Sequence, residues 1–230
     1  MSQNLNDEVE NNPRHLRVFS LVSGSHLPTA GAQDQSSIVF KDLTPPSGPG
    51  AREPHLFASP DGKIYMSWTE PLKGGRFAVR FAVGTTKGWS KAQTVASGDD
   101  LLANWADFSS VIVFKDGTLA VHWLRMHSDK SYAYDVNIAM SKDSGATWSQ
   151  SIVPHRDGTT NQHGFVSLLP LPDMRLFMIW LDGRQSSGTE AAVAGKKVSK
   201  DVMQLRFATL GKDGGLSQRD RSRSINVHVL

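Results

Sequence analysis

Ser141-Lys142-Asp143-Ser144-Gly145-Ala146-Thr147-Trp148 lies between two short apolar runs, Val136 to Met140 before it and Trp148 to Val153 after it. It reads as strand, tight turn, strand. An Asp at a turn entrance hydrogen-bonds the backbone two residues on, and Gly145 accommodates a left-handed conformation. The tryptophan then has an apolar body to bury and one N–H to satisfy.

Working outward, the same grammar recurs. Trp68, Trp123 and Trp180 stand at intervals of 55 and 57 residues, and Asp61, Asp116 and Asp173 repeat those intervals. Trp89 and Trp148 are 59 apart. Each unit places a turn centred on the aspartate between two apolar runs: Leu56-Phe57-Ala58 and Ile64 to Trp68, Val111 to Phe114 and Leu119 to Trp123, Phe165 to Leu169 and Leu176 to Trp180. Asp-Gly between apolar runs is a hairpin signal, and four short strands repeating at this length make a propeller blade. The runs are four to seven residues long, rich in Val, Ile, Phe and Trp, and broken too often by turn residues for helices. The repeated tryptophans are expected in the core between blades.

The pattern S-x-D-x-G-x-T-W resembles the Asp box of sialidases and related bacterial-neuraminidase-repeat propellers. There it is a structural turn between the two outer strands of a blade and does no chemistry. The resemblance implies an all-β partial propeller: about three four-stranded blades, the first half of a six-bladed sialidase-like ring. Ser141, Asp143, Gly145, Thr147 and Trp148 are its structural positions. The expected organisation is a disordered or loosely attached leader over 1–50 with one candidate strand at Ser37 to Phe40, blades over 51–218, and a C-terminal tail over 219–230 that matches no repeat. Half a ring leaves two unpaired blade faces, so a truncated chain is expected, with self-association of two halves as the alternative.

Bulk composition excludes several classes. With 25 Lys and Arg against 22 Asp and Glu, and a pI near 9.2, the scattered basic residues argue against a nucleic-acid partner. There is no cysteine, hence no disulfide framework and no thiolate nucleophile or metal site. No apolar run reaches the ~20 residues of a membrane helix. The polar, acidic start carries no recognisable export signal. The resemblance implies an extracytoplasmic setting, and the sequence leaves the compartment open.

Candidate chemistry follows from the register. In a blade the first strand begins where the second ends, so equivalent polar residues share one rim. Arg52 aligns with Asp107 and Gly164, with His163 adjacent, and Glu70, Arg125 and Asp182 follow the repeated tryptophan by two, with Arg184 beyond. Such a rim suits a polar or anionic ligand. Arg52-Glu53-Pro54 resembles the R-I-P motif of sialidases, whose arginine grips a carboxylate, work suited to a bidentate guanidinium. Asp107 matches a substrate-contacting position, and Glu70 is the acid available in the first-blade loop. Asp107 and Glu70 are therefore the catalytic candidates; Arg52, Arg125, His163, Asp182 and Arg184 are the substrate-binding ones. The tyrosine nucleophile of the family and its glutamate have no counterpart here, since Tyr132 and Tyr134 fall elsewhere. His155, Asp157, His163 and Asp182 lack helical H-x-x-x-H spacing, so no metal and no cofactor are expected. The resemblance implies an exo-α-sialidase-type glycosidase acting on a sialylated or other glycan; the alternatives are a non-catalytic glycan- or protein-binding module, or a fragment without function.

Overall fold

The structure, a computed structural model, describes residues 16–19, 40–127, 133–186, 190–193, 196–199, 202–217 and 226–228. Two units divide it, Met1–Pro45 and Pro46–Leu230. In the first, β1 (Leu16–Phe19) pairs antiparallel with β2 (Phe40–Leu43). The strand expected at Ser37 to Phe40 thus begins at the end of that stretch; residues 37–39, and most of the leader, lie outside the described residues.

The second unit is all-β and carries three antiparallel sheets in series, the consecutive blades of a partial propeller. The first blade is β3 (Arg52–Ala58), β4 (Ile64–Pro71), β5 (Phe77–Thr85) and a fourth strand in two pieces, β6 (Gly88–Trp89) and β7 (Gln93–Gly98), both on β5. The second is β8 (Ser110–Val113), β9 (Leu119–Met126) and β10 (Tyr134–Ser141), its fourth strand reduced to a single bridge between Ile138 and Ile152. The third runs β11 (His163–Pro170) and β12 (Leu176–Asp182). A separate hairpin, β13 (Glu190–Val193) and β14 (Lys196–Ser199), precedes β15 (Val202–Leu210), which β16 (Leu216–Ser217) and β17 (Asn226–His228) border. Asn226–His228 lies in the stretch that matched no repeat in sequence. It occupies the place that β7 fills in the first blade, so the tail expected over 219–230 includes the second piece of a fourth strand; its other residues lie outside the described ones.

The repeated aspartates turn the first hairpin of each blade, and Asp213 does so after β15. Asp116 accepts from the Thr118 N–H at 2.9 Å, Asp173 from Arg175 at 3.2 Å and Asp213 from Gly215 at 3.0 Å. The next residue is left-handed in each: Gly62, Gly117 and Gly214, and in the third blade Met174, at φ 67°. The packing explains why the middle blade reads as continuous apolar runs. Val111, Val113, Leu119, Val121 and Trp123 face Tyr65, Val79 and Phe81 of the first blade. Ile112, Phe114, Ala120, Leu124, Val136 and Ile138 face Val166, Leu176, Met178, Trp180 and Leu210 of the third. A strand buried on both faces cannot alternate. In β12 burial alternates residue by residue, because one face packs on the middle blade.

The 141–148 turn closes on itself and clamps two blades. Ser141 Oγ donates to Asp143 Oδ1 at 2.7 Å and accepts from Gly145 N–H at 2.8 Å; Thr147 donates to Asp143 through its N–H and hydroxyl. These bonds, those from Thr147 first, hold the exposed Asp143 carboxyl down at about 2. Gly145 is left-handed, and a Cβ there would lie 2.4 Å from Phe81 Cζ in the first blade. Trp148 meets the same Phe81 edge-on at 5.8 Å. Gly145→Ala is therefore expected to destabilise by roughly 2–4 kcal/mol through backbone strain and overpacking. An unchanged urea midpoint would show that the contact yields freely.

Candidate functional site

The rim where β3 and β11 begin and β4 and β12 end gathers the predicted residues, but in two different states. Glu70 accepts from its own tryptophan, Trp68 Nε1, at 3.0 Å and from the Gly48 N–H at 3.1 Å, and pairs with Arg80 at 3.2 Å. Asp182, with no exposed surface, accepts from Trp180 Nε1 at 2.9 Å and from Arg184 Nε and Nη2 at 2.7 Å each. The geometry is dictated locally: residues i and i+2 share a strand face, so an acid two after the tryptophan meets the indole N–H. Arg125 takes that position in the second blade. It pairs with Asp100 instead, and Trp123 Nε1 is left buried without a partner. In this geometry Glu70, Arg125, Asp182 and Arg184 each bond neighbouring groups of the chain.

His163 belongs to a buried knot between the second and third blades. Its Nε2 lies 3.2 Å from Asp157 Oδ2 and 3.7 Å from Asp182 Oδ2, and its Nδ1 lies 3.7 Å from Asp135 Oδ1. The His155 ring stacks on it at 3.6 Å, within 2° of parallel. Burial foremost, then the neighbouring His163, pushes His155 down to about 4 against the pull of Asp135 and Asp157. Asp157 is held at about 2: burial, its largest single influence, would raise it, but the Thr159 hydroxyl, His163 and Arg184 together prevail. Asp135, His155 and His163, or Asp157, His163 and Asp182, bring ligand-type atoms within 4.8 Å of one another. His155 Nε2 already accepts from Val136 N–H and Arg184 pairs with Asp182, while His163 Nδ1 and Asp135 Oδ1 are buried without a hydrogen-bond partner.

Arg52 and Asp107 stand differently. Arg52 is exposed, its guanidinium 5.4 Å above the Phe77 ring. Asp107 is buried and bridges elements: Oδ2 accepts from Asn104 Nδ2 at 2.8 Å and Oδ1 from the Phe165 N–H at 2.9 Å. Gly164 permits this approach, since a Cβ there would come 2.7 Å from Asp107 Oδ1.

Between Arg52 and Asp107 the structure reveals an acid that register reasoning passed over. Glu53 sits in the bulge that interrupts the pairing of β3 between Arg52 and His55, in a left-handed conformation at φ 56°. Phe165, 112 residues on, occupies the corresponding bulge of β11 at φ 51°. A bulge re-aims a side chain, and strain of this kind concentrates at functional sites. Both Glu53 oxygens are buried; the Thr69 hydroxyl lies beside them without full hydrogen-bond geometry. Burial raises the carboxyl to about 7, with Asp107 adding to the rise, and outweighs the opposing pull of Thr69 and Arg52. A carboxyl that still holds its proton about half the time at neutral pH, under the influence of a guanidinium and a second acid, is able to donate a proton. The signal was in the sequence: positions 53, 108 and 165 share one register and read Glu, Phe, Phe.

Two open clefts, of about 500 and 440 Å³, lie at the opposite rim beside the 141–148 turn. Their charged lining, Asp116, Lys142, Lys212 and Asp213, is exposed.

No protein-family model matches the chain, and no curated protein matches it. Among solved structures it is similar to the GH93 α-L-arabinofuranosidase of Fusarium graminearum in complex with arabinobiose: TM-score 0.52, 14% identity, 85% of this chain and 56% of that one. An α-L-arabinofuranosidase of the same organism with an iminosugar inhibitor aligns at TM-score 0.50 and 15% identity, over 72% and 52%. A Hadza microbial sialidase aligns at TM-score 0.49 and 16% identity, over 80% and 41%. At these identities the likeness is one of fold, a β-propeller. The chain spans about half the length of these structures.

Proposed function

We propose that the chain is a glycan-active β-propeller of the glycoside-hydrolase type, with its carbohydrate site at the rim around Arg52, Glu53 and Asp107. The observation that carries this reading is the buried Glu53 carboxyl in a left-handed bulge, raised by burial to about 7 and influenced by Arg52 and Asp107. Glycosidic cleavage needs a carboxylic acid that gives its proton to the leaving oxygen. The propeller fold is shared with α-L-arabinofuranosidases and supports the substrate class. Within it the sialidase-like variant rests on the sequence motifs: the turn at 141–148 as an Asp box, and Arg52 as the clamp for a sugar carboxylate.

Binding without turnover is a second reading, favoured by the occupied state of Asp107. Asn104 and the Phe165 N–H already hold its two oxygens, an engagement that suits a structural acceptor.

The test is turnover of an aryl α-sialoside and an aryl α-L-arabinofuranoside by the purified chain. Arg52→Ala is expected to raise KM for the acidic substrate roughly 10–100-fold, the loss of a charge-assisted bidentate contact, and to leave the neutral one unchanged. Saturable binding of either sugar with no turnover selects the second reading. Absence of both turnover and binding overturns the proposal.

A further inference from the structure

Trp105 lies in the segment between β7 and β8 with 94% of its surface exposed. The segment around it is pinned. Asn104 Oδ1 accepts from the Ala106 N–H at 2.8 Å and the Asp107 N–H at 2.7 Å, and Asn104 Nδ2 donates to Asp107 Oδ2. Upstream, the Leu102 N–H donates to Leu124 O at 3.1 Å and Leu101 is buried. An indole is among the largest apolar surfaces a side chain can bury, so presenting one to water from a braced backbone forgoes a large gain.

Its surroundings specify what would cover it. Phe108 is 41% exposed and lies flat on His55, with ring centroids 5.4 Å apart and planes 9° apart. Phe165 is half exposed, and its N–H is the one bound to Asp107. Along the chain these aromatics alternate with polar or small residues, Asn104, Asp107, Ser109 and Gly164, rather than forming an apolar run. A flat apolar face two residues from the Asp107 carboxyl and next to the Asn104 amide instead matches a ligand with one C–H face and a hydroxyl edge.

We infer that Trp105 is a stacking platform for the C–H face of a sugar ring, placed beside Asp107 at the rim. The electron-rich indole face meets the partly positive C–H hydrogens, and the polar rim takes the hydroxyls. The inference rests on the glycan reading above and adds to it the residue that sets affinity rather than chemistry.

The experiment follows indole fluorescence of the full chain while 3′-sialyllactose and, separately, arabinobiose are added. A saturable change is expected with at least one sugar. Trp105→Ala should abolish the change and, by titration calorimetry, weaken binding about tenfold, and Trp105→Phe should restore the calorimetric affinity to within about threefold. Trp105 is solvent-exposed, so the variants should keep the wild-type melting curve.

Wild-type affinity in Trp105→Ala would overturn the platform, and if that variant also turned over substrate with unchanged KM, the glycan reading would survive without it. Trp105-dependent binding with no turnover would keep the platform and remove hydrolysis. No saturation by either sugar up to about 10 mM would overturn the platform. Loss of a concentration-dependent dimer in Trp105→Ala, with no sugar response, would reassign the residue to self-association and overturn it as well.

Discussion

Glu53→Gln should lower kcat for an aryl glycoside by roughly 10²–10⁴-fold, the usual contribution of a positioned general acid, with KM little changed. The amide copies the shape and neutrality of the protonated carboxyl, so it should fit the bulge of β3 without new strain. It cannot release a proton. In the wild type the acid is lost as pH rises through about 7, so activity should fall on that alkaline limb, and the limb should vanish from whatever rate remains in the variant. Stability falls in the same direction. The folded carboxyl is raised from 4.5 to about 7, so the folded state holds its proton longer than the unfolded chain. Stability is therefore greatest below pH 4.5 with respect to this group and declines as pH rises to 7. Solvent screening at this half-buried position leaves the penalty on the order of 1–2 kcal/mol at pH 8, and Gln removes it. A variant that keeps wild-type kcat would end the general-acid role. A variant no more stable at pH 8 would show that the carboxyl is not displaced.

The second large effect is structural. His163→Ala is expected to cost roughly 3–5 kcal/mol, the range for removing one partner from a buried ionic network. His163 has no exposed surface and stands between Asp135, Asp157 and Asp182 while stacking on His155. Its loss leaves carboxylates buried with less compensation and a ring-sized void between two blades. His127, paired with Asp135 at 2.9 Å but with 29% of its side chain exposed, serves as the control. His127→Ala should cost about 1 kcal/mol or less, because water screens it. The carboxyl of Asp157 reports the same event. It should rise from about 2 toward its ordinary value in His163→Ala, since His163 helps hold it down. The stability that this carboxylate supplies is complete above about pH 4 and disappears as pH falls toward 2, so the variant should lose part of that acid dependence. A urea midpoint equal to that of the wild type would mean the network contributes nothing to folding.

These two residues also mark how far linear reasoning reached. His163 was singled out as a rim ligand because it stands beside the register position of Arg52 and Asp107. It is at the rim, but burial turns it inward to the network. The same register places Glu70 and Asp182 at this rim, where the indole N–H two residues earlier on the same strand face bonds each. The Trp-x-acid spacing announces that bond. Glu53 escaped notice because its importance comes from a bulge. Pairing shifts between Arg52 and His55, and a side chain that alternation would assign one way is re-aimed.

What the residues alone determined is the scaffold. Intervals of 55 and 57 between tryptophans, turn aspartates in the same register and the self-bonded turn at 141–148 specify hairpins repeated at blade length. These signals are local: a turn, a strand period and a burial pattern each need only a few neighbouring residues. The tertiary structure decided which polar groups are satisfied and which are held ready. It placed Asn226–His228 beside β15, reduced the fourth strand of the middle blade to one bridge, gathered Asp135, His155, Asp157, His163 and Asp182 into one knot, and lifted the Glu53 carboxyl by burial. Each of these depends on groups far apart in the chain meeting in a low-dielectric interior, where desolvation and long-range partners, rather than spacing, set the chemistry.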